Sequence, residues 1–587
     1  MIATSSPAEG HITTAGAPGA PVWRATVIGL VALLAVAIAA ALGAYLLSGR
    51  GGGMGAGASY VPADAPLYVE LRLQPSADQD AAIRELLSRF PPIDGLDLDR
   101  PLIESVTTHL DEILATEGIS VSWGEDVAPW FDGRIGLALT SGSFAVPSTT
   151  DPMTMPEAPP MLVMLGVTDS QAASAAIERM LAEANAPGFA RSEHAGVMVF
   201  EGVDDLGAYA VTADQLLYAP TADGIRAALD AHASGETLAG SGDMAGYASR
   251  LPDDWIMFGT YDFSNVMADA LAQMGTESPE MVDAFETLVE SQPMRAAYAV
   301  SATADGIAMD VLSEAPTGAL APVNGDRGLA DEVPGDVVYF ADGGNVGASL
   351  ATLVESFKAG LAADPAMAEQ IATAEAALGA DLEELVSWIG DGAIFIGWDG
   401  SAPNAGLVLV PTDVAEARRR LGQIGSFARL AAMDSTSGIT VGEHDVATDS
   451  GPVTVTTISW QVQLPEAAGA LPPVPAVVIE YAVTDDRALI GFGDSFVRRL
   501  LELGESDSLA ANPRFVDSVE TLGGTSNVAT VWVDFDVLQQ TVESLIPDTG
   551  GFYEESVRPW VSPLSRFVSV TRLEGAELET HALLVVE

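Results

Sequence analysis

Three short motifs in this 587-residue chain recur at one fixed distance, and that recurrence restricts the fold more than any other feature. Val61-Pro62-Ala63-Asp64 returns as Val333-Pro334-Gly335-Asp336, Tyr209-Ala210-Val211-Thr212 as Tyr481-Ala482-Val483-Thr484, and Asp262-Phe263 as Asp534-Phe535, each 272 residues later. Between these anchors the register drifts and returns. Trp130-Phe131-Asp132-Gly133 matches Trp388-Ile389-Gly390-Asp391-Gly392, and Val167-Thr168-Asp169 matches Pro411-Thr412-Asp413. The first copy has a longer proline-rich loop near Val146–Pro160, and the second an extra stretch between about Gly438 and Pro475. Chance matches would not keep one order, so the sequence predicts a tandem duplication: one unit over 59–316, a joint over 317–331 and a second unit over 332–587.

Local patterning predicts an α+β unit with mainly antiparallel or mixed sheets and flanking helices. Val61–Leu73 alternates as a strand does and leads into Ser76-x-x-Gln79, a capping box. Ile83, Leu86, Leu87 and Phe90 then line one helical face, which Pro91-Pro92 stops. A second helix shows Ile103, Val106, Leu110 and Ile113. Strands are expected at Arg134–Leu139 and Met161–Val167, then a helix from Asp169 with Ile177, Met180 and Leu181 inward. The second copy repeats that step: Gly406–Val410 as strand, Asp413-x-x-Glu416 as cap, and Val414, Ala417, Leu421 and Ile424 on one helical face.

Ahead of the repeated part, Ala25–Leu47 runs without a charge. A helix of that length reaches about 35 Å, enough for a hydrocarbon core of about 30 Å. Ala41-Leu42-Gly43 resembles a signal-peptidase site, but the apolar run exceeds the ~7–15 residues of a cleaved signal, which favours a retained anchor. Arg24 and Arg50 flank the run almost evenly, so charge barely orients it. The short tail 1–24 is the easier side to leave in the cytoplasm, as a disordered segment. The expectation is a single-pass cell-membrane protein that contacts the bilayer through Ala25–Leu47, has an extracytoplasmic C-terminal region, and carries a flexible glycine-rich linker over 48–58.

Asp and Glu outnumber Lys and Arg by 82 to 25, a formal charge of −57 that argues against nucleic acid as a partner. Only one lysine occurs, Lys358, and there is no cysteine, hence no disulfide, thiolate nucleophile or thiolate metal site. An acidic, lysine-poor surface suits either high salt or an exposed extracytoplasmic position. The glycines of the linker complete no GxGxxG, and GxSxG, HExxH and GxxxxGK[ST] are absent.

Of the six histidines, His11 lies in the tail, His232 in a small-residue turn, His109 on the polar side of its helix, and His581 in the last strand, facing either way. Glu193-His194 and Glu443-His444 occupy the same place in the two copies, but neighbours on a strand point to opposite faces and make no dyad. Asp94-x-x-Asp97-x-Asp99 offers oxygen ligands for calcium without the twelve-residue loop, and reads first as a solvated turn before Pro101. Asp132-Gly133 and Asp391-Gly392 read as turns after buried tryptophans, Trp130 and Trp388, which are expected as core anchors. No residue is assigned a catalytic, cofactor-binding or metal-binding role.

The opening strand with Pro62-Ala63-Asp64, the step Asp126-Val127-Ala128-Pro129-Trp130, and the Tyr209–Leu217 strand leading to a helix resemble a bacterial group known only as a domain of unknown function. The resemblance spans roughly Ser59–Glu587. It departs at Asp381–Trp388, where the proline of the tryptophan step is missing. It implies a single-pass protein with an extracytoplasmic α+β region and carries no active site. The resulting expectation is a non-enzymatic binding or structural protein of the envelope. A cleft between the two copies would receive an envelope protein or polymer. A carboxylate-dependent hydrolase is the alternative, needing two carboxyl groups about 5–10 Å apart in a cleft; a calcium-stabilised surface protein is a third reading.

Overall fold

The computed structural model describes residues 54–93, 95–116, 121–140, 160–183, 188–203, 206–277, 293–362, 365–398, 403–433, 437–460, 477–493, 495–545, 551 and 553–587. The tail 1–24, the apolar run Ala25–Leu47, and the loop 141–159 lie outside them. Among the described residues no helix is long and apolar enough to cross a membrane.

The chain is α+β, and its described residues form twenty strands in one sheet. The first ten are β1 (Leu67–Arg72), β2 (Phe131–Leu139), β3 (Met161–Val167), β4 (Ala190–His194), β5 (Val197–Glu201), β6 (Ala208–Val211), β7 (Gln215–Ala219), β8 (Met257–Asp262), β9 (Arg295–Ala302) and β10 (Gly306–Glu314). The next ten are β11 (Tyr339–Gly343), β12 (Ile389–Trp398), β13 (Pro403–Pro411), β14 (Ile439–Thr448), β15 (Gly451–Trp460), β16 (Val477–Val483), β17 (Ala488–Phe492), β18 (Ala529–Asp534), β19 (Leu564–Glu574) and β20 (Glu577–Val586). Every pairing among them is antiparallel. Across the first half the order is β4-β5-β6-β7-β3-β2-β1-β8-β9-β10. Across the second it is β14-β15-β16-β17-β13-β12-β11-β18-β19-β20, the same order ten strands on. The ladders even break alike: β2 and β12 each carry an irregularity just after the buried tryptophan, between Phe131 and Ile135 and between Ile389 and Gly392. A bulge re-aims the side chains beside it, here Asp132, Arg134 and Asp391.

The halves join through β10 and β20, Gly306–Glu314 lying opposite Glu577–Val585. The expected cleft between them is therefore a continuous ladder. At its middle Asp310 faces His581.

Because strand neighbours point to opposite faces, the sheet carries two sets of apolar residues. Tyr68, Leu162, Leu217 and Phe258 pack under the helices Ala222–Ser234 and Gly242–Ala248. On the same side of the second half, Phe340, Phe395 and Trp532 pack with Phe496 and Phe515 of the helices Phe496–Leu501 and Pro513–Thr521. The opposite side is covered by Ala77–Leu87, Ser170–Glu183 and Val414–Ala432, which seat Leu86, Ile177 and Leu421. Trp130 and Trp388 are core anchors as expected, 2% and 3% exposed, and each carbonyl accepts the N–H and hydroxyl of a threonine, Thr168 or Thr412.

Local expectations fare unevenly. Ser76 caps its helix by accepting from the Gln79 N–H, but the Gln79 side chain turns to the sheet and accepts from the Ala302 N–H, so the box does not close. Asp413 accepts from the N–H groups of Ala415 and Glu416. Ile424, expected inward, is 36% exposed, because the helix seats Gly425 on Tyr481 instead. The linker expectation fails for residues 54–58. Ala56–Ser59 forms a 3₁₀ turn, and Gly57 and Ala58 are buried. Glycine fits there because a Cβ on Gly55 would collide with the Glu70 carboxylate beneath it.

Candidate functional site

Four places bring polar chemistry together. At the seam, His581 Nδ1 lies 2.6 Å from Asp310 Oδ1, with Glu579 at 4.0 Å from Nε2. The hydrogen bond to Asp310 raises the imidazole pKa above its usual 6.5, against the opposing effect of burial. The sequence left the orientation of His581 open. The ladder decides it, since its partner strand is more than 250 residues away.

The second and third places are buried carboxylates on corresponding strands. Glu70 on β1 is 1% exposed, takes a short hydrogen bond from the Tyr68 hydroxyl, and has no partner for Oε1 among the described residues. Burial raises its pKa above 4.5, while Tyr68, Arg134 and Arg72 pull it down. The nearby Arg134 is held by Asp132. In the second half Asp342, 272 residues on, is also raised by burial and opposed by Arg327. Arg327, itself 4% exposed in its side chain, lies 3.8 Å from Asp342 and 3.5 Å from Asp391. Its guanidinium also donates to the carbonyls of Asn527 and Val323. Gly55 and Arg327 stand at that same spacing. The segment leading into each half thus closes over its buried acid, once with a glycine and once with a cation.

The fourth place is open. A cavity of about 430 Å³ lies between the helix Val414–Ala432 and the strands β14–β16, with Tyr481 and Thr456 on its floor and Arg418 and Arg429 on its wall. Arg418 donates to the Thr484 carbonyl at 2.8 Å and meets Asp485 at 3.4 Å; Arg429 pairs with Glu443. A second, shallower concavity of about 660 Å³ is lined by Pro334, Asp336, Ser495, Arg498 and Arg499, with the Arg499 guanidinium on Asp336 at 2.7 Å.

The residues singled out in the sequence scatter. His194 reaches Asp230 at 2.7 Å, and His232 stacks on Tyr60 at 4.0 Å with Nδ1 at 2.9 Å from the Ser59 carbonyl. The two Glu-His steps are not equivalent in register. Strand pairing puts Ser192 where His444 stands, each opposite a buried valine of the neighbouring strand, Val199 or Val455. Asp97 accepts from the Asp99 N–H and lies 3.5 Å from Arg100, while Asp94 is outside the described residues. His109 lies in the helix Leu102–Thr116, and His11 is outside the described residues. Among the described residues no group of three or more His, Cys, Asp or Glu could hold a metal ion. Sequence reasoning missed Glu70, Asp342, Arg327 and the Tyr481 cavity. The one available signal was a charged residue at an inward position of a strand, as Glu70 is between Tyr68 and Arg72 in Leu67–Arg72.

A family model described as "Protein of unknown function (DUF3352)" matches residues 26–552. The chain belongs to that family. Its match runs through both halves of the sheet and agrees with the resemblance seen in the strand openings and the tryptophan step. No curated protein matches the chain. Among solved structures, crystal form IV of TP0453 aligns at 10% identity over 43% of this chain and 78% of that one, with a TM-score of 0.19. Crystal form I aligns at 10% identity over 44% and 92%, with a TM-score of 0.18. Scores this low carry nothing about the DUF3352 chain.

Proposed function

We propose that this DUF3352 protein is a membrane-tethered extracytoplasmic binding protein, built from two copies of one α+β unit and without catalytic activity. Duplication is supported by the strand order, which repeats ten strands on, and by matched details: the isolated bridges Pro62–Thr237 and Pro334–Ser508, and the bonds from Leu238 N–H to the Val61 carbonyl and from Leu509 N–H to the Val333 carbonyl. The tether rests on Ala25–Leu47, with the tail 1–24 inside and the sheet outside. The binding reading is carried by one observation: Glu70 is buried and Asp342 only 11% exposed in its side chain, whereas the cavity beside Tyr481 is open and of ligand size.

Asp342 and Asp391 do converge, as a glycosidase pair would, but on the buried guanidinium of Arg327, 3.8 and 3.5 Å away, whose single charge offsets one of the two. A partner is expected to be an envelope protein or polymer. Two experiments test the reading. Reporter fusions at residue 20 and at the C terminus should place the two ends on opposite sides of the membrane, and both on one side would reject the tether. Full-length protein incubated with envelope glycans should release no product, and reproducible turnover would reject the non-enzymatic role.

A further inference from the structure

We propose that the segment Met54–Ala58 is a proton-controlled strap, closed on Glu70 while that carboxyl is neutral and lifted from it when the carboxyl ionises. The strap enters the first half as the 3₁₀ turn Ala56–Ser59 and seats Gly57 and Ala58 in the core with Tyr68. Gly55 lies against the Glu70 carboxyl and Gly57 against the Tyr68 hydroxyl, so closely that a Cβ on either would collide with it.

Little else fastens this segment. Its hydrogen bonds are mostly internal: Ala58 N–H to the Gly55 carbonyl at 3.1 Å, Tyr60 N–H to the Gly57 carbonyl at 2.9 Å, and the Ser59 hydroxyl to the Ala56 carbonyl at 2.7 Å. The Ala58 N–H also reaches the Tyr68 hydroxyl. Firm ties to the body begin with the next residue. The Ser59 carbonyl lies 2.9 Å from His232 Nδ1, the Tyr60 hydroxyl donates to Asp214 at 2.7 Å, and the Val61 carbonyl accepts from the Leu238 N–H at 2.8 Å. A hinge at Ser59 frees Met54–Ala58 and breaks none of those ties.

Glu70 supplies the force. It is 1% exposed, its Oε2 takes the Tyr68 hydroxyl, and its Oε1 has no hydrogen-bond partner among the described residues. A neutral carboxyl tolerates that enclosure. A carboxylate with one donor bears a desolvation penalty, which water relieves once the strap lifts. The charged groups facing it are Arg72 on its own strand and Arg134 and Asp132 on β2. Arg134 is engaged by Asp132 at 2.8 Å, and Arg72 lies 3.6 Å over the Trp255 ring. The strap and the turn Leu238–Gly240 packed against it bring no charged side chain. Burial accordingly keeps the Glu70 pKa above 4.5 against the pull of Tyr68 and both arginines. In the second half Arg327 stands over Asp342, so ionisation there tightens the cover instead of lifting it.

Closed, Glu70 keeps its proton above pH 4.5; open to water, it titrates near 4.5. The open population therefore climbs up to about tenfold per pH unit from 4.5 to the raised value and then levels off. Released, Met54–Ala58 adds about 17 Å of reach between the sheet and Ala25–Leu47, at ~3.4 Å per residue. That lengthening rests on the anchor proposed above; the movement of the strap does not.

Hydrogen exchange of the full-length protein in detergent from pH 5 to 8, corrected for intrinsic rates, tests the strap. In the parent, the Ala58 and Tyr60 amides should lose protection at least about fivefold across that range, while those of Leu67–Arg72 keep theirs. Glu70→Gln, neutral at every pH, should hold the strap amides within about twofold. Gly55→Ala should strip Ala58 of protection at least about tenfold already at pH 5, with the sheet amides unchanged. Strap protection that is flat in the parent, that falls equally in Glu70→Gln, or that falls only together with the sheet would overturn the proposal. So would a Gly55→Ala strap as protected as the parent's.

Discussion

The two halves of the sheet solve the same packing problem with different side chains, and the differences cluster at two points. Around the tyrosine, the first half fills with Phe200 and Phe189 where the second leaves a cavity. Over the buried acid, the second half supplies Arg327 where the first lays Gly55 against Glu70. One strand order thus accommodates a plug in one half and a hole in the other, and a glycine in one and a cation in the other. The strand ladders carry the architecture, and the side chains at these points are free to specialise. Around that tyrosine one half is packed and the other is open.

The sharpest way to break this comparison is Arg327→Ala. It strands Asp342 and Asp391 without their cation, removes the donor to the Val323 carbonyl and leaves the Asn527 carbonyl with the Gly325 N–H alone, so urea unfolding should show a loss of about 3–5 kcal/mol. A loss below 1 kcal/mol would mean that the guanidinium does not hold the second half together.

Next in size is the tyrosine exchange. Phe200→Thr should cost about 2–3 kcal/mol, less than a fully buried phenylalanine because Phe200 is only half-buried. Thr456→Phe should cost less than about 1 kcal/mol, since the space already exists. Equal costs in thermal unfolding would erase the distinction between plug and cavity.

The buried acids give a pH signature. Burial raises the folded-state pKa of Glu70 above 4.5, so the folded state holds its proton more tightly than the unfolded one. That contribution is complete below pH 4.5 and is lost as pH rises through the raised value. Glu70→Gln should therefore gain stability relative to the parent as pH increases from 4.5 to 8. Asp342→Asn should show a smaller gain or none, because Arg327 favours the charged form there. A parent and Glu70→Gln pair with parallel pH profiles would refute the assignment.

The smallest effect belongs to the seam. Asp310 raises the His581 pKa, so the pair stabilises fully below pH 6.5 and fades as pH climbs through the raised value. The imidazole is about a third exposed, which limits His581→Gln to a loss of at most about 1 kcal/mol at pH 6, vanishing at high pH. A loss that does not depend on pH would point to packing instead.

Much of the architecture could be read from residues alone because it depends on local periodicity and on recurrence. The strand Met161–Val167, the caps at Asp169 and Asp413, and the buried Trp130 and Trp388 follow from alternation, capping chemistry and size. The same patterning misled where a local rule met a distant partner. Gln79 left its capping box for Ala302, and Ile424 was displaced by the contact of Gly425 with Tyr481. Glycines expected to form a free linker instead cover Glu70.

By itself, then, the sequence determined the α+β composition, the order of elements and their return after 272 residues, because each is written in neighbouring residues. Tertiary structure alone decided that the halves fuse edge to edge, that Asp310 meets His581, and that Arg327 rather than a glycine covers the second buried acid. Only there does a cavity stand where Phe200 would fit. Those outcomes depend on which side chains meet across hundreds of residues. Strand pairing sets that, and no local pattern encodes it.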